Sequence, residues 1–417
     1  MDINEQARAS ALRIPEVEGP VPVTADSHPF CAMEYSRTPL VVENYGYREE
    51  EYFISGLANV YDADECGKLL IKQSGLPYKT RLLVRYPEDK TKFSGRVYVD
   101  ILNATQNYDI EDLWHRAYLW CMEYGHGYVG VTSKPICVQS LKNFDYPRYQ
   151  SLNWSNGEVV PQPTISKSAT LPGTEEGLVW DILSQTAALL KSNTTEIFGG
   201  CQVEYVYLCG QSQSGAYLNT YVSNFDAVLS STEQSLYDGY MNIVGALVQR
   251  DLCQSSNTGP LKLTLRDMKP GPTPYICISS EADLTLFSMF VDEGSLLDVE
   301  IENHDEVDYK CRYYGIAGTR HTDIICPVLT ALAEIEKTGE RLPNFYYKLF
   351  QDLNDFPMEY YICGLLEKLH VWATEGVAPT VFPVLKRADG ELQKDKYGNV
   401  LEGFRTPFTD VPIASYT

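Results

Sequence analysis

Short blocks of alternating apolar and polar residues dominate the first third of the chain. Residues 51–61 and 78–87 alternate in part, as strands with one buried face do, and residues 96–103 are mostly apolar, as a strand nearer the middle of a sheet is. The pattern then turns helical over residues 111–124 and strand-like again over 128–132. Thr174, followed by Glu175 and Glu176, reads as a helix start, and Val179, Leu183, Ala187 and Leu190 fall on one apolar face behind it. Further strands are expected at residues 203–209, 240–246, 274–280 and 310–318, and helical sequence runs on to about Gly376. Strands alternating with helices predict an α/β fold with a mostly parallel sheet and chemistry at the carboxyl ends of its strands.

Between these elements the periodicity fails in four places. Residues 1–40 are punctuated by proline and read as an extended arm on the body of the protein. Residues 137–177, aromatic and rich in Pro, Gly and Ser, read as a long loop forming part of a wall over the active site. Residues 247–273 read as an insertion, and the tail over 377–417 carries Asp389-Gly390, a hairpin turn signal. The expected organisation is therefore an arm (1–40), one catalytic domain (41–376) with insertions at 137–177 and 247–273, and a tail packed upon it.

Candidate chemistry centres on Gly210-Gln211-Ser212-Gln213-Ser214-Gly215, where an apolar strand runs into a tight turn with helix-compatible sequence behind. A serine on such a sharp turn needs small residues two places to either side, and Gly210 and Ser214 meet that demand. The turn predicts Ser212 as a nucleophile, with the backbone N–H of Gln213 aimed at a developing oxyanion. A second frame, with Ser214 as nucleophile, fits less well because the apolar run ends at Cys209, one residue before Gly210.

A serine hydroxyl needs a base, and a histidine oriented by a carboxylate supplies one. Three histidines follow Ser212: His304 in an acidic loop, His370 in helical sequence, and His321 just past the last strand, where a loop can carry it over the serine. His321 is the expected base. Glu281 and Asp283 both follow the preceding strand and compete for the acid role; Asp283 is favoured because the loop has had more residues in which to turn. The second oxyanion donor is expected near the end of the 96–103 strand, at the N–H of Ala104. Aromatics of the long loop, Tyr149 and Trp154 among them, are expected to line a pocket for an apolar or aromatic group.

Composition narrows the partners. The formal charge of −22 and pI near 4.7 repel phosphate backbones and anionic bilayers, so neither nucleic acid nor membrane is an expected partner. No apolar run approaches the roughly 18 residues that span a bilayer, and the acidic start of the chain shows no signal peptide. The 11 cysteines are scattered without a C-x-x-C pair, which fits a reducing cytoplasm and argues against a zinc site. No H-E-x-x-H, P-loop or dinucleotide motif stands where it could work, so no metal or other cofactor is expected. Homo-oligomerisation is left open.

The same turn resembles the G-x-S-Q-S elbow of the "alpha/beta hydrolase domain" family and, more distantly, that of cutinases. Further matches run in the family's order: residues 46–56, Asp145-Tyr146-Pro147-Arg148-Tyr149, Ser280-Glu281-Ala282-Asp283, Ala317-Gly318-Thr319-Arg320-His321, and residues 398–407. The chain departs at its end, where similar proteins continue with a helical tail beyond the position of Thr417. The resemblance implies an α/β-hydrolase fold, with Ser212 and His321 as nucleophile and base, and names no substrate. The expected activity is hydrolysis of a small carboxyl ester or lactone through an acyl-enzyme. Acyl transfer on the same residues and an inert binding protein on the same fold are the alternatives.

Overall fold

Backbone pairing joins ten strands into one sheet in the computed structural model, which describes residues 2–154, 171, 173–194, 196–230, 235–254, 264–265, 268–289, 302–322, 330–341 and 356–411. In chain order the strands are β1 (Glu16–Glu18), β2 (Tyr47–Ala63), β3 (Leu69–Pro87), β4 (Arg96–Ile101), β5 (Gly127–Val131), β6 (Tyr205–Gln211), β7 (Gly239–Ile243), β8 (Tyr275–Ser280), β9 (His304–Glu306) and β10 (Tyr309–Ile316). Their order across the sheet is β1-β2-β3-β5-β4-β6-β7-β8-β10-β9. From β5 through β10 all neighbours are parallel; β3 is antiparallel to both β2 and β5, and the edge strands β1 and β9 also pair antiparallel.

The central strands read as near-continuous apolar runs because helices cover both faces. Their side chains alternate. Val97, Val99, Val206 and Leu208 enter one cluster, beneath the helices Ile3–Ala11 (α1), Val179–Ser192 (α4) and Gln213–Tyr221 (α5). Tyr98, Tyr207, Cys209, Met241, Ile276 and Ile278 enter the opposite cluster, beneath Asp112–Tyr124 (α2) and Met358–Glu375 (α6). The period of two that marks a strand thus becomes a two-sided core.

Two segments differ from expectation. Residues 3–11 of the arm are helical: Asp2 accepts from the N–H groups of Asn4 and Glu5, and Glu5 accepts in return from the Asp2 N–H, a capping box that closes the first turn. The start of the expected loop at 137–177 instead belongs to a further helix, α3 (Pro135–Phe144). Proline suits a first helical turn because its missing N–H would have no partner there, and Ile136, Cys137, Val138 and Leu141 are all buried. Of the rest of that loop, residues 155–170 and 172 lie outside the described residues. In the tail, Arg387–Ala388 and Glu391–Leu392 pair across Asp389-Gly390, both with positive φ, 55° and 74°. No helix among the described residues is long and apolar enough to cross a membrane.

Candidate active site

At its carboxyl end β6 turns into α5 through one residue. Ser212 has φ 54° and ψ −120°, a conformation that non-glycine residues rarely adopt, so surrounding contacts must hold it there. The Ser212 N–H donates to the carbonyl of Ile243 at the end of the neighbouring strand, 2.9 Å away, and its carbonyl accepts from Gly215. Gly210 permits the turn: a Cβ on it would lie 2.4 Å from the Ser214 carbonyl oxygen. We expect Gly210→Ala to cost about 1–3 kcal/mol of stability through overpacking. Thermal melting checks this, and an unchanged melting temperature would show that the turn relaxes freely.

Two loops from the sheet's carboxyl edge meet Ser212. The first, after β10, carries His321, whose Nε2 lies 2.8 Å from Ser212 Oγ. The second, after β8, carries Asp283, whose Oδ1 lies 2.7 Å from His321 Nδ1. Asp283 is fully buried, and its other oxygen accepts from the Ser280 N–H at 2.6 Å, fixing the carboxylate against its own strand. The ring of His321 packs edge-on against Phe287, 5.4 Å between centroids.

Glu281 points elsewhere. Its Oε2 accepts from the N–H of Gly318 at 3.0 Å, and its Oε1 sits 3.4 Å from Lys394 Nζ. It therefore ties the loop bearing His321 to the tail without reaching the imidazole. A cleft of about 430 Å³ opens on this side, lined by Glu281, Thr285, Arg320, Leu392 and Lys394 among others; Ser212 and His321 do not line it. His304 lies on edge strand β9 between Glu302 and Glu306, and His370 on α6 meets the Tyr207 hydroxyl at 2.6 Å. Neither histidine belongs to the group around Ser212.

The loop after β4 approaches the turn from the other side. Asn103 Nδ2 donates to the Gln211 carbonyl at 3.1 Å, and Arg116 Nη1 to Gln211 Oε1 at 2.7 Å. The N–H groups of Leu102, Asn103 and Thr105 donate to Val131 O, Ile110 O and Asn103 Oδ1. The Ala104 N–H donates to a side chain, the Oε1 of Gln213, at 3.2 Å. The Gln213 N–H belongs to the first turn of α5, where an amide has no intrahelical acceptor.

Tyr149 and Trp154 do not join the site. They are 0 % and 2 % exposed and sit in the main core cluster, where the Tyr149 hydroxyl donates to Glu51 at 2.7 Å. Aromatics amid Pro and Gly suggested a pocket wall, but burying a large ring is the commoner use of an aromatic side chain. Sequence reading also missed Lys134, which is fully buried and donates to the Leu102 carbonyl at 2.5 Å and to Ser214 Oγ at 2.6 Å. Its position just past the carboxyl end of β5 was the available signal.

The order of the strands, the turn after β6, and the loops after β8 and β10 that bring Asp283 and His321 to Ser212 make up one architecture. A family model described as "Alpha/beta hydrolase domain" matches residues 17–417. The chain belongs to that family. No curated protein matches by sequence. Among solved structures it is similar to XC6422 of Xanthomonas campestris, described as an a/b serine hydrolase without lid, at 12% identity over 72% of this chain and 97% of that one, with a TM-score of 0.30. A glucuronoyl esterase from Solibacter usitatus is similar at 11% identity over 75% and 87% of the two chains, TM-score 0.31. A fungal esterase from Rhizomucor miehei is similar at 10% identity over 77% and 84%, TM-score 0.32.

Proposed function

We propose that this member of the alpha/beta hydrolase domain family is a serine hydrolase that cleaves a small carboxyl ester or lactone through an acyl-enzyme. The observation that carries the reading is the run of hydrogen bonds from Ser212 Oγ to His321 Nε2 and from His321 Nδ1 to buried Asp283. Ser212 Oγ attacks the carbonyl carbon as its proton passes to His321 Nε2. Asp283 holds the Nδ1–H tautomer and stabilises the imidazolium. The proton then goes to the departing alkoxide, and water repeats the sequence to release the acid. The N–H groups of Gln213 and Ala104 receive the oxyanion. For Ala104 to do so, the Gln213 side chain must leave its present place, which a substrate carbonyl oxygen would take.

Glu281 has the supporting task of holding the His321 loop through Gly318. The ten described cysteines are all free thiols, which supports a reducing compartment such as the cytoplasm. Among the described residues no cluster of three His, Cys, Asp or Glu is placed to hold a metal ion, and the proposed steps need no cofactor.

The test is labelling with a fluorophosphonate, followed by peptide mass spectrometry and a turnover screen over p-nitrophenyl, aryl and lactone esters. The label is expected on Ser212 and should persist in Ser214→Ala. A label on Ser214 would move the nucleophile two residues along, and no label would favour a binding protein. Diversion of the acyl group to added alcohols, with hydrolysis suppressed, would make the protein an acyltransferase.

A further inference from the structure

Behind Ser212 lies a buried cation that the proposed steps do not use. Lys134 is 0 % exposed, immediately after β5 and before α3. Its ammonium donates to the Leu102 carbonyl and to Ser214 Oγ, and it sits 4.6 Å from the centre of the Tyr217 ring on α5. Those two acceptors belong to different pieces of chain. Leu102 begins the loop that presents the Ala104 N–H, and Ser214 lies in the first turn of the helix that presents the Gln213 N–H. Ser133, one residue earlier, donates to the same Leu102 carbonyl at 3.2 Å.

We propose that Lys134 is a positioning residue of the oxyanion site: its ammonium clamps the Ala104 loop to the start of α5, so that two backbone donors converge, and its charge favours the oxyanion. The inference rests on the serine-hydrolase reading above. A buried charge is costly unless something recovers the loss, and among the described residues no carboxylate lies within ion-pair distance of Lys134. The surrounding groups leave its charge largely uncompensated. Asp100 on β4 is pushed well above the usual carboxylate range by burial, which favours its neutral form. Glu176, before α4, is paired with Arg250 at 2.7 Å, and Asp109 lies 3.5 Å from Arg81. Burial also pushes the Cys137 thiol on α3 and the Tyr217 hydroxyl on α5 far up, so both stay neutral. A positive charge bonded to the segments that carry both donors and shielded from water acts in a medium where electrostatics are strong.

The same burial pushes the Lys134 ammonium down to about 8. If the charged form is the working one, turnover must fall as pH rises through that value. The experiment measures kcat and KM for p-nitrophenyl butyrate across pH, with wild type, Lys134→Met and Ser214→Ala compared, circular dichroism confirming the fold and fluorophosphonate labelling run in parallel. For Lys134→Met we expect kcat to fall about 10–100-fold, less than loss of a direct oxyanion donor, with KM nearly unchanged and the alkaline limb gone. Removing one acceptor of the ammonium in Ser214→Ala makes the charged form harder to keep, so the limb should move to lower pH.

A lysine that only fills space would lower the melting temperature without touching the limb. Lys134→Met with wild-type kcat and an intact limb overturns the proposal. If that variant does not fold, an unmoved limb in Ser214→Ala does so. Absence of label from wild-type Ser212 overturns instead the serine-hydrolase reading, so the two failures are distinguishable.

Discussion

Replacing Asp283 by asparagine is expected to lower ester turnover about 10⁴-fold, on the precedent of buried triad carboxylates in serine proteases. The imidazole of His321 must present an unprotonated Nε2 to Ser212, so its proton must sit on Nδ1. A carboxylate 2.7 Å from Nδ1 enforces that tautomer, because it can only accept. An amide can donate instead, which puts the imidazole proton on Nε2 and leaves Ser212 without a base. Asp283 is also fully buried and held by the Ser280 N–H, so water cannot easily replace it. Glu281→Gln is the control. Its amide oxygen can still accept from the Gly318 N–H, so a cost of about tenfold, equivalent to ~1.4 kcal/mol, is the most expected. Steady-state kinetics on both variants, with circular dichroism to establish folding, decides the matter. A collapse in Glu281→Gln beside a mild loss in Asp283→Asn would transfer the acid role to Glu281.

Legibility in the sequence followed physical determinacy. The β6 segment could be read because three demands coincide within a few residues: an apolar strand, small residues flanking a sharp turn, and a helix-compatible run. The loop positions of Glu281, Asp283 and His321 followed from strand ends that are strongly apolar. What the sequence could not decide was direction. Glu281 and Asp283 lie two residues apart, and only the turn after β8 determines that one faces the imidazole while the other faces Gly318 and Lys394.

Helix α3 was hidden by its surroundings, since its ten residues start with proline and its apolar face is only a few side chains wide. Helix α1 depends on the Asp2–Glu5 capping box and on docking Ala7 and Ala11 against the core, which no local periodicity advertises. Lys134 is the harder case. A lone lysine is ordinarily a solvated surface group, and its burial follows only from the convergence of β4, β5 and α5.

The burial of Tyr149 against Glu51 points to the second large effect, the loss of stability expected from Glu51→Gln. Glu51 lies on β2, fully buried, with Arg81 Nη1 3.2 Å and Arg148 Nε 2.5 Å from its oxygens, and it also receives the Tyr149 hydroxyl. The two guanidinium groups reach onward. Arg81 donates to the Phe30 carbonyl and Arg148 to that of Pro22, while the Val21 N–H donates to the Glu51 carbonyl. One carboxylate thus anchors the N-terminal segment and the turn after α3 to the sheet. Glutamine keeps the volume and one acceptor but removes the charge, leaving two buried cations with less to offset their desolvation. Breaking a buried pair in this way costs about 3–5 kcal/mol, because the partner's charge remains in the interior. Urea unfolding followed by fluorescence should show the midpoint falling accordingly, with fluorophosphonate labelling retained while the protein is folded. A change below about 1 kcal/mol, the worth of an exposed ion pair, would mean that Asp109 or water takes over the charges and that the N-terminal segment is held by packing instead.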